Sequence, residues 1–257
     1  MKLPLKPTAV ARLLKEVRAV ARDDRPLAVG GALADQLVKE LVRGGDPQAA
    51  RAGGPEGAVA YVHVLAAAPT DEDEAVLKRA RRERVPALVL AGERYELPFV
   101  LPTDVIVLPP GRGFPVDELA RALAARLGEQ GPAPAARLPA LRPAVCRWLI
   151  ASFARKNAII AAAVFVPGVD LPALTLNQMR LVLRIAAAHG VEISSDRLPE
   201  LLAVLGGGLG LRALARELVD LIPGAGWALK SAIAYAGTRT VGEAAVLYFA
   251  ARGDASA

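Results

Sequence analysis

The chain has 257 residues, 53% of them apolar, 4% aromatic and 23% charged. That balance excludes a disordered or collagen-like chain, and a single cysteine, Cys146, excludes a scaffold of intrachain disulfides. The net charge of +6 is spread evenly, with 21 basic and 18 acidic groups in residues 1–142 and 11 and 8 in residues 143–257, so no basic arm is set apart for nucleic-acid phosphates.

The first segment, MKLPLKPTAVARLLKEVRAVARDDRP, lacks the uninterrupted apolar run of about 7–15 residues that a secretory signal needs. It reads as a cationic amphipathic helix from Thr8 to Arg22, closed by Asp23, Asp24 and Pro26, whose apolar face packs on its own domain. One cysteine and no secretory signal are the expectation for a reducing, cytoplasmic setting. The only histidines, His63 and His189, cannot make a Cys/His zinc cluster, so no metal and no other cofactor is expected.

From Pro26 to Leu127 strands and helices alternate. Leu27–Val29 is a short apolar strand running into Gly30-Gly31, and the next helix places Leu33, Leu37, Leu41 and Val42 on one face. AVAYVHVLA at 58–66 is too apolar to be half exposed and predicts a central strand of a covered sheet. Thr70 then caps a helix from Asp71 to Glu83, acidic at its positive end and basic at its negative end, as Asp71 to Glu74 and Lys78 to Arg84 lie. Strands follow at 87–91 and 104–108, and a helix opens at Pro115 and runs to Leu127. The pattern predicts an α/β domain with a parallel sheet.

The stretches "PTDEDEAVLKRARRERVP", "ALVLAG" and "DVIVLPPGRGFPVDELARAL" give this region a resemblance to the second half of an Era-like, translation-factor-class GTPase domain, covering Ala58 to Leu127 with the first strand and helix. The resemblance implies a P-loop GTPase-like fold. The nucleotide machinery of that family is not matched. Counting from Gly30, the slots for the second glycine, the lysine and the hydroxyl of a phosphate loop hold Asp35, Gln36 and Leu37. The Asn-Lys-x-Asp slot holds Ala91, Gly92, Glu93 and Arg94, and the Ser-Ala slot falls at Pro109-Pro110. No nucleotide is expected to bind, and the domain reads as a degenerate, non-catalytic one.

EQGPAPAARLPALRP, with prolines at 132, 134, 139 and 143, reads as an extended, semi-rigid linker. The expected organisation is therefore residues 1–128 as the α/β domain with its N-terminal helix, 129–143 as the linker and 144–257 as a Gly- and Ala-rich helical domain. In that domain Pro167-Gly168 and Pro223-Gly224 break the helical pattern after similar apolar helix ends, and His189-Gly190 closes another helix. The 23 residues between Lys156 and Arg180 hold one charge, Asp170, but the break at Pro167-Gly168 interrupts them. Both a closed helical bundle and hairpins at a membrane surface fit this pattern. Asp170, Asn177 and Gln178 are the polar residues of these apolar helices; interhelical hydrogen bonding or a ligand site would account for them.

The stretches "FVPGVDLPALTLNQMRLVLRIAAAHG" and "RELVDLIPGAGWALKSAIAYAGTRTVGEAAVLYF" resemble the bacterial domain-of-unknown-function family that includes YcjF-type inner-membrane proteins. The matching residues are Pro167, Gly168, Asp170, Thr175, Gln178, Gly190, Pro223, Gly224, Gly226 and Gly242. The resemblance implies association with GTPase-like domains and with membranes, and carries no activity. No G-x-S-x-G elbow occurs, and Cys146 beside Trp148 lies in an apolar helix, so no catalytic residue is assigned. The expected function is a pseudo-GTPase scaffold that docks a protein partner or a second copy, or sits at the cytoplasmic membrane face, without nucleic acid; the alternative is an enzyme, a nucleotide hydrolase or another hydrolase, with a site outside the known motifs.

Overall fold

A computed structural model describes residues 7–163, 171–193 and 226–254. The chain divides into two compact units, Asp23–Val145 on the one hand and Met1–Arg22 with Cys146–Ala257 on the other.

In the unit Asp23–Val145, β1 (Leu27–Gly31), α2 (Ala34–Leu41), β2 (Ala50–Ala52), β3 (Ala60–Leu65), α3 (Asp71–Arg82), β4 (Ala87–Ala91), β5 (Val105–Val107), α4 (Val116–Leu127) and α5 (Pro132–Arg137) follow one another, α1 being the helix Pro7–Ala21 of the other unit. All strand pairs are parallel, in the order β2-β1-β3-β4-β5. Every residue of β3 is buried, as a near-continuous apolar run requires when both faces of a sheet are covered. Tyr61 and Leu65 of β3, Val89 of β4 and Val105 of β5 pack against Leu77 and Ala80 of α3 in one core. Helix α3 starts where the sequence places it, on a capping box in which Thr70 and Asp73 exchange hydrogen bonds.

Two features differ from expectation. Strand β2 lies in a stretch without apolar alternation, Ala50-Arg51-Ala52; it exists because β1 offers its outer edge, with Leu27 opposite Ala50 and Val29 opposite Ala52. The Pro-rich segment is not an extended linker. Pro132 to Ala135 are buried in the short helix α5, and turns of 3-10 helix flank it at Gly128–Gln130 and Pro139–Leu141. Prolines at the start of a helix remove only N–H groups that have no intrahelical partner there, so the composition that suggests a linker suits short helices equally. Arg137 fastens this segment, its Nε donating to Asp46 Oδ2 at 2.8 Å and its Nη1 to the Asp24 carbonyl at 2.6 Å.

In the other unit α1 packs on α7 (Leu171–Ala188), and α7 packs on α8 (Gly226–Asp254). The amphipathic helix thus groups with the C-terminal helices and not with the α/β domain, a correction to the 1–128 boundary. Its Leu13, Leu14 and Val17 are buried. Arg184 of α7 is buried and donates to Glu16 Oε1 at 3.0 Å, while Arg180 donates to Glu16 Oε2 at 2.9 Å. Between them the two guanidiniums engage both oxygens of one α1 carboxylate. Helix α6 (Arg142–Ala163) carries Cys146, whose thiol is buried as expected. Gly242 of α8 is required by close packing, since a methyl there would overlap Ile150 of α6 and crowd Leu181 of α7. Among the described residues no helix is long and apolar enough to cross a membrane.

Candidate functional site

In a parallel sheet of this order the chain leaves β1 toward one edge and β3 toward the other, and the crevice beyond their carboxyl ends is where open α/β sheets bind ligands. Gly30 and Gly31 stand here opposite His63 and Val64 of β3. The period of two along a strand puts Tyr61 and His63 on the same face.

The Tyr61 hydroxyl lies 2.7 Å from His63 Nδ1, and His63 Nε2 lies 2.7 Å from Asp73 Oδ1. Asp73 Oδ2 in turn accepts from the Thr70 backbone N–H at 2.9 Å and the Thr70 hydroxyl at 2.7 Å. These partners fix the tautomer. An ionised Asp73 can only accept, so His63 carries its proton on Nε2 and Nδ1 accepts from Tyr61. Burial pushes the Asp73 carboxyl up, but the hydrogen bonds from Thr70 and His63 together outweigh it and hold it below its ordinary value of 3.8. Burial and the nearby Asp73 and Glu56 charges push the Tyr61 phenol upward. Tyr61 and His63 are 1% and 3% exposed, so the chain of hydrogen bonds ends inside the protein at the tyrosine.

The glycine pair is explained by this arrangement. A methyl on Gly30 would overlap the Tyr61 hydroxyl, and one on Gly31, at φ 79°, would overlap the Val64 carbonyl and press on the His63 ring. The backbone is thin here to admit Tyr61 and His63 beneath it. Beyond the pair, Leu33 enters α2 at φ 56° without capping it, and the exposed Asp35 occupies the first turn. That carboxylate puts a negative charge in the first turn, near where a helix N-terminus favours an anion. Leu37, on the next turn of α2, is fully buried.

Of the residues singled out in the helical domain, Asp170, Pro167, Gly168, Pro223 and Gly224 lie outside the described residues. Asn177 and Gln178 belong to a polar network across three helices. The Thr238 hydroxyl of α8 accepts from Asn157 Nδ2 of α6 at 2.8 Å and from Gln178 Nε2 of α7 at 3.1 Å, and donates to the Ala234 carbonyl at 2.7 Å. Asn177 Nδ2 donates to Asn157 Oδ1 at 3.0 Å, and Arg180 Nη1 donates to Asn177 Oδ1 at 3.2 Å. The bonds among Asn157, Asn177, Gln178 and Thr238 cross from helix to helix, and Arg180 steadies Asn177 within α7, which is interhelical fastening. His189 likewise serves its helix end: Nδ1 donates to the Ile185 carbonyl at 2.8 Å and Gly190 follows at φ 75°.

Sequence reasoning did not find the Tyr61, His63 and Asp73 chain. Its trace was two polar rings two residues apart in an otherwise apolar strand, followed by a Thr-x-x-Asp capping box. Among the described residues, no group of three or more His, Cys, Asp or Glu side chains is placed to hold a metal ion. Compared with known protein families, curated proteins and solved structures, the chain matches none.

Proposed function

We propose that this chain is a non-catalytic scaffold: a GTPase-like α/β unit that has exchanged its nucleotide site for internal packing, followed by a helical unit that docks a protein partner or a second copy. The occupation of the switch point carries this reading. Tyr61 and His63 fill the space under Gly30-Gly31, and Asp35 places a negative charge at the α2 N-terminus. A phosphate there would meet a carboxylate and find no lysine within the loop. The Tyr61, His63 and Asp73 chain resembles a proton relay in its partners, yet its tyrosine end is buried, so it supplies rigidity where a catalytic site would need access.

The distant relationships to Era-like GTPase domains and to the YcjF-type helical family belong to the same proposal. They rest on the sequence patterns. A protein partner is favoured over a lipid surface because the apolar side of α1, Leu13, Leu14 and Val17, is turned inward and leaves its cationic side to solvent. Calorimetric titration with magnesium-GTP tests the reading: no heat of binding is expected, and micromolar affinity would overturn it.

A further inference from the structure

The opposite, amino-terminal edge of the sheet carries a feature the switch point does not explain. The carboxyl end of α3, the start of β4 and the loop before β5 enclose an open groove of about 370 Å³. Arg81, Arg84 and Arg126 line it, together with Phe99 and Leu101. Asp104 is the one carboxylate among the lining residues, and it is already bound, accepting from Arg126 Nε at 2.6 Å. Arg81 and Arg84 have no carboxylate partner among the described residues. Arg81 holds its guanidinium 5.8 Å from the Phe99 ring centroid, a planar cation laid on an aromatic face. Phe99 and Leu101 remain 44% and 56% exposed.

The backbone presents these groups at a cost. Arg84 closes α3 at φ 58°, the left-handed position of a Schellman turn in which the Val85 N–H reaches the Ala80 carbonyl at 2.9 Å, a place that favours glycine. Phe99 stands at φ 72°, which a bulky side chain seldom adopts. A solvated helix surface needs neither an arginine in the first position nor an exposed phenylalanine in the second.

We propose that this groove docks an acidic peptide segment of a partner protein, one that sets an apolar side chain between carboxylates. Charge complementarity selects it: two guanidiniums without a carboxylate partner lie beside two exposed apolar side chains, so carboxylates pair with Arg81 and Arg84 while a leucine or phenylalanine packs on the exposed parts of Phe99 and Leu101. The shape agrees, because a groove this open cannot enclose most of a small ligand's surface, whereas a peptide lies along it. The inference rests on the scaffold reading and gives that scaffold its partner chemistry.

The test uses the full chain and fluorescence polarisation with a short labelled peptide of repeated Glu-Glu-Leu units. Saturable binding is expected, with affinity falling about tenfold or more in the double variant Arg81→Glu, Arg84→Glu, and falling also in Phe99→Ala and with added salt. The glutamine analogue of the peptide should not bind. Lys39→Glu, a charge reversal on α2, should leave binding intact. No saturable binding, equal binding by the arginine double variant, or tighter binding of phosphatidylserine vesicles or single-stranded RNA than of the peptide would each overturn the proposal. Magnesium-GTP titration reports on the other edge of the sheet, so failure of the scaffold reading and failure of the groove are separately visible.

Discussion

The Tyr61 hydroxyl and His63 Nδ1 stand 2.7 Å apart, and the Gly30 backbone passes so close to that hydroxyl that there is no room for a methyl group. Gly30→Ala should therefore cost about 1–3 kcal/mol by overpacking. Tyr61→Phe alone should cost about 1–2 kcal/mol, because His63 Nδ1 loses its donor. Combined, the two should cost less than their sum, since removing the hydroxyl makes room for the methyl. Urea unfolding of the four proteins measures this; strict additivity would show that the glycine is not there for the tyrosine.

The same chain of hydrogen bonds sets a pH dependence at both ends of the range. Asp73 has its folded-state pKa below the ordinary 3.8, so its contribution is present above that value and is lost as pH falls through the folded pKa. Tyr61 has its folded pKa raised above 10, so its contribution is full below pH 10 and is lost as pH climbs toward the folded value. Melting curves should show the wild type losing its advantage over Asp73→Asn below about pH 4, and Tyr61→Phe resisting alkaline unfolding above pH 10 better than the wild type. A wild-type advantage over Asp73→Asn that does not narrow at low pH would rule out the ionised capping box.

Thr238 is the shared acceptor of the helical unit. Thr238→Val keeps the shape but leaves Asn157 Nδ2 and Gln178 Nε2 as buried donors without an acceptor, at about 1–3 kcal/mol each. Thr238→Ser keeps the oxygen and should lose much less. Chemical denaturation separates the two; equal losses would mean that the methyl group, not the hydroxyl, matters here.

Glu16 ties α1 to α7 through Arg180 and Arg184. Glu16→Ala removes the carboxylate both guanidiniums share, and should loosen α1 first. Limited proteolysis should then cut within the first 22 residues sooner than in the wild type, with Glu16→Asp intermediate. Unchanged cleavage would assign the packing of α1 to Leu13, Leu14 and Val17 alone.

Cell fractionation bears on the scaffold as a whole. If the helical unit docks a protein partner as proposed, with the apolar face of α1 already buried, any protein recovered with membranes should be released by a high-pH carbonate wash. Retention after the wash would turn the helical unit into a lipid-embedded one.

The order of strands and helices was legible from local patterning. Apolar runs mark β1, β3, β4 and β5, and the Thr70 cap marks α3, because strand burial and helix capping act within a few residues of chain. The absence of a G-x-x-x-x-G-K-S/T stretch after β1 could be read the same way, since Asp35, Gln36 and Leu37 follow Gly30 at the spacing where that motif has its second glycine, lysine and hydroxyl. What lay beyond reach depends on partners distant in sequence. β2 forms on the edge β1 offers, the prolines at 132 and 134 enter a short helix held in place by Arg137, and α1 joins helices more than 120 residues away. The switch-point chain has the same origin. Tyr61 and His63 are only an apolar strand's two polar rings until parallel pairing brings Gly30 and Gly31 over them and α3 brings Asp73 to His63. Local sequence sets which elements form; long-range packing decides which faces meet, and the candidate sites lie where they meet.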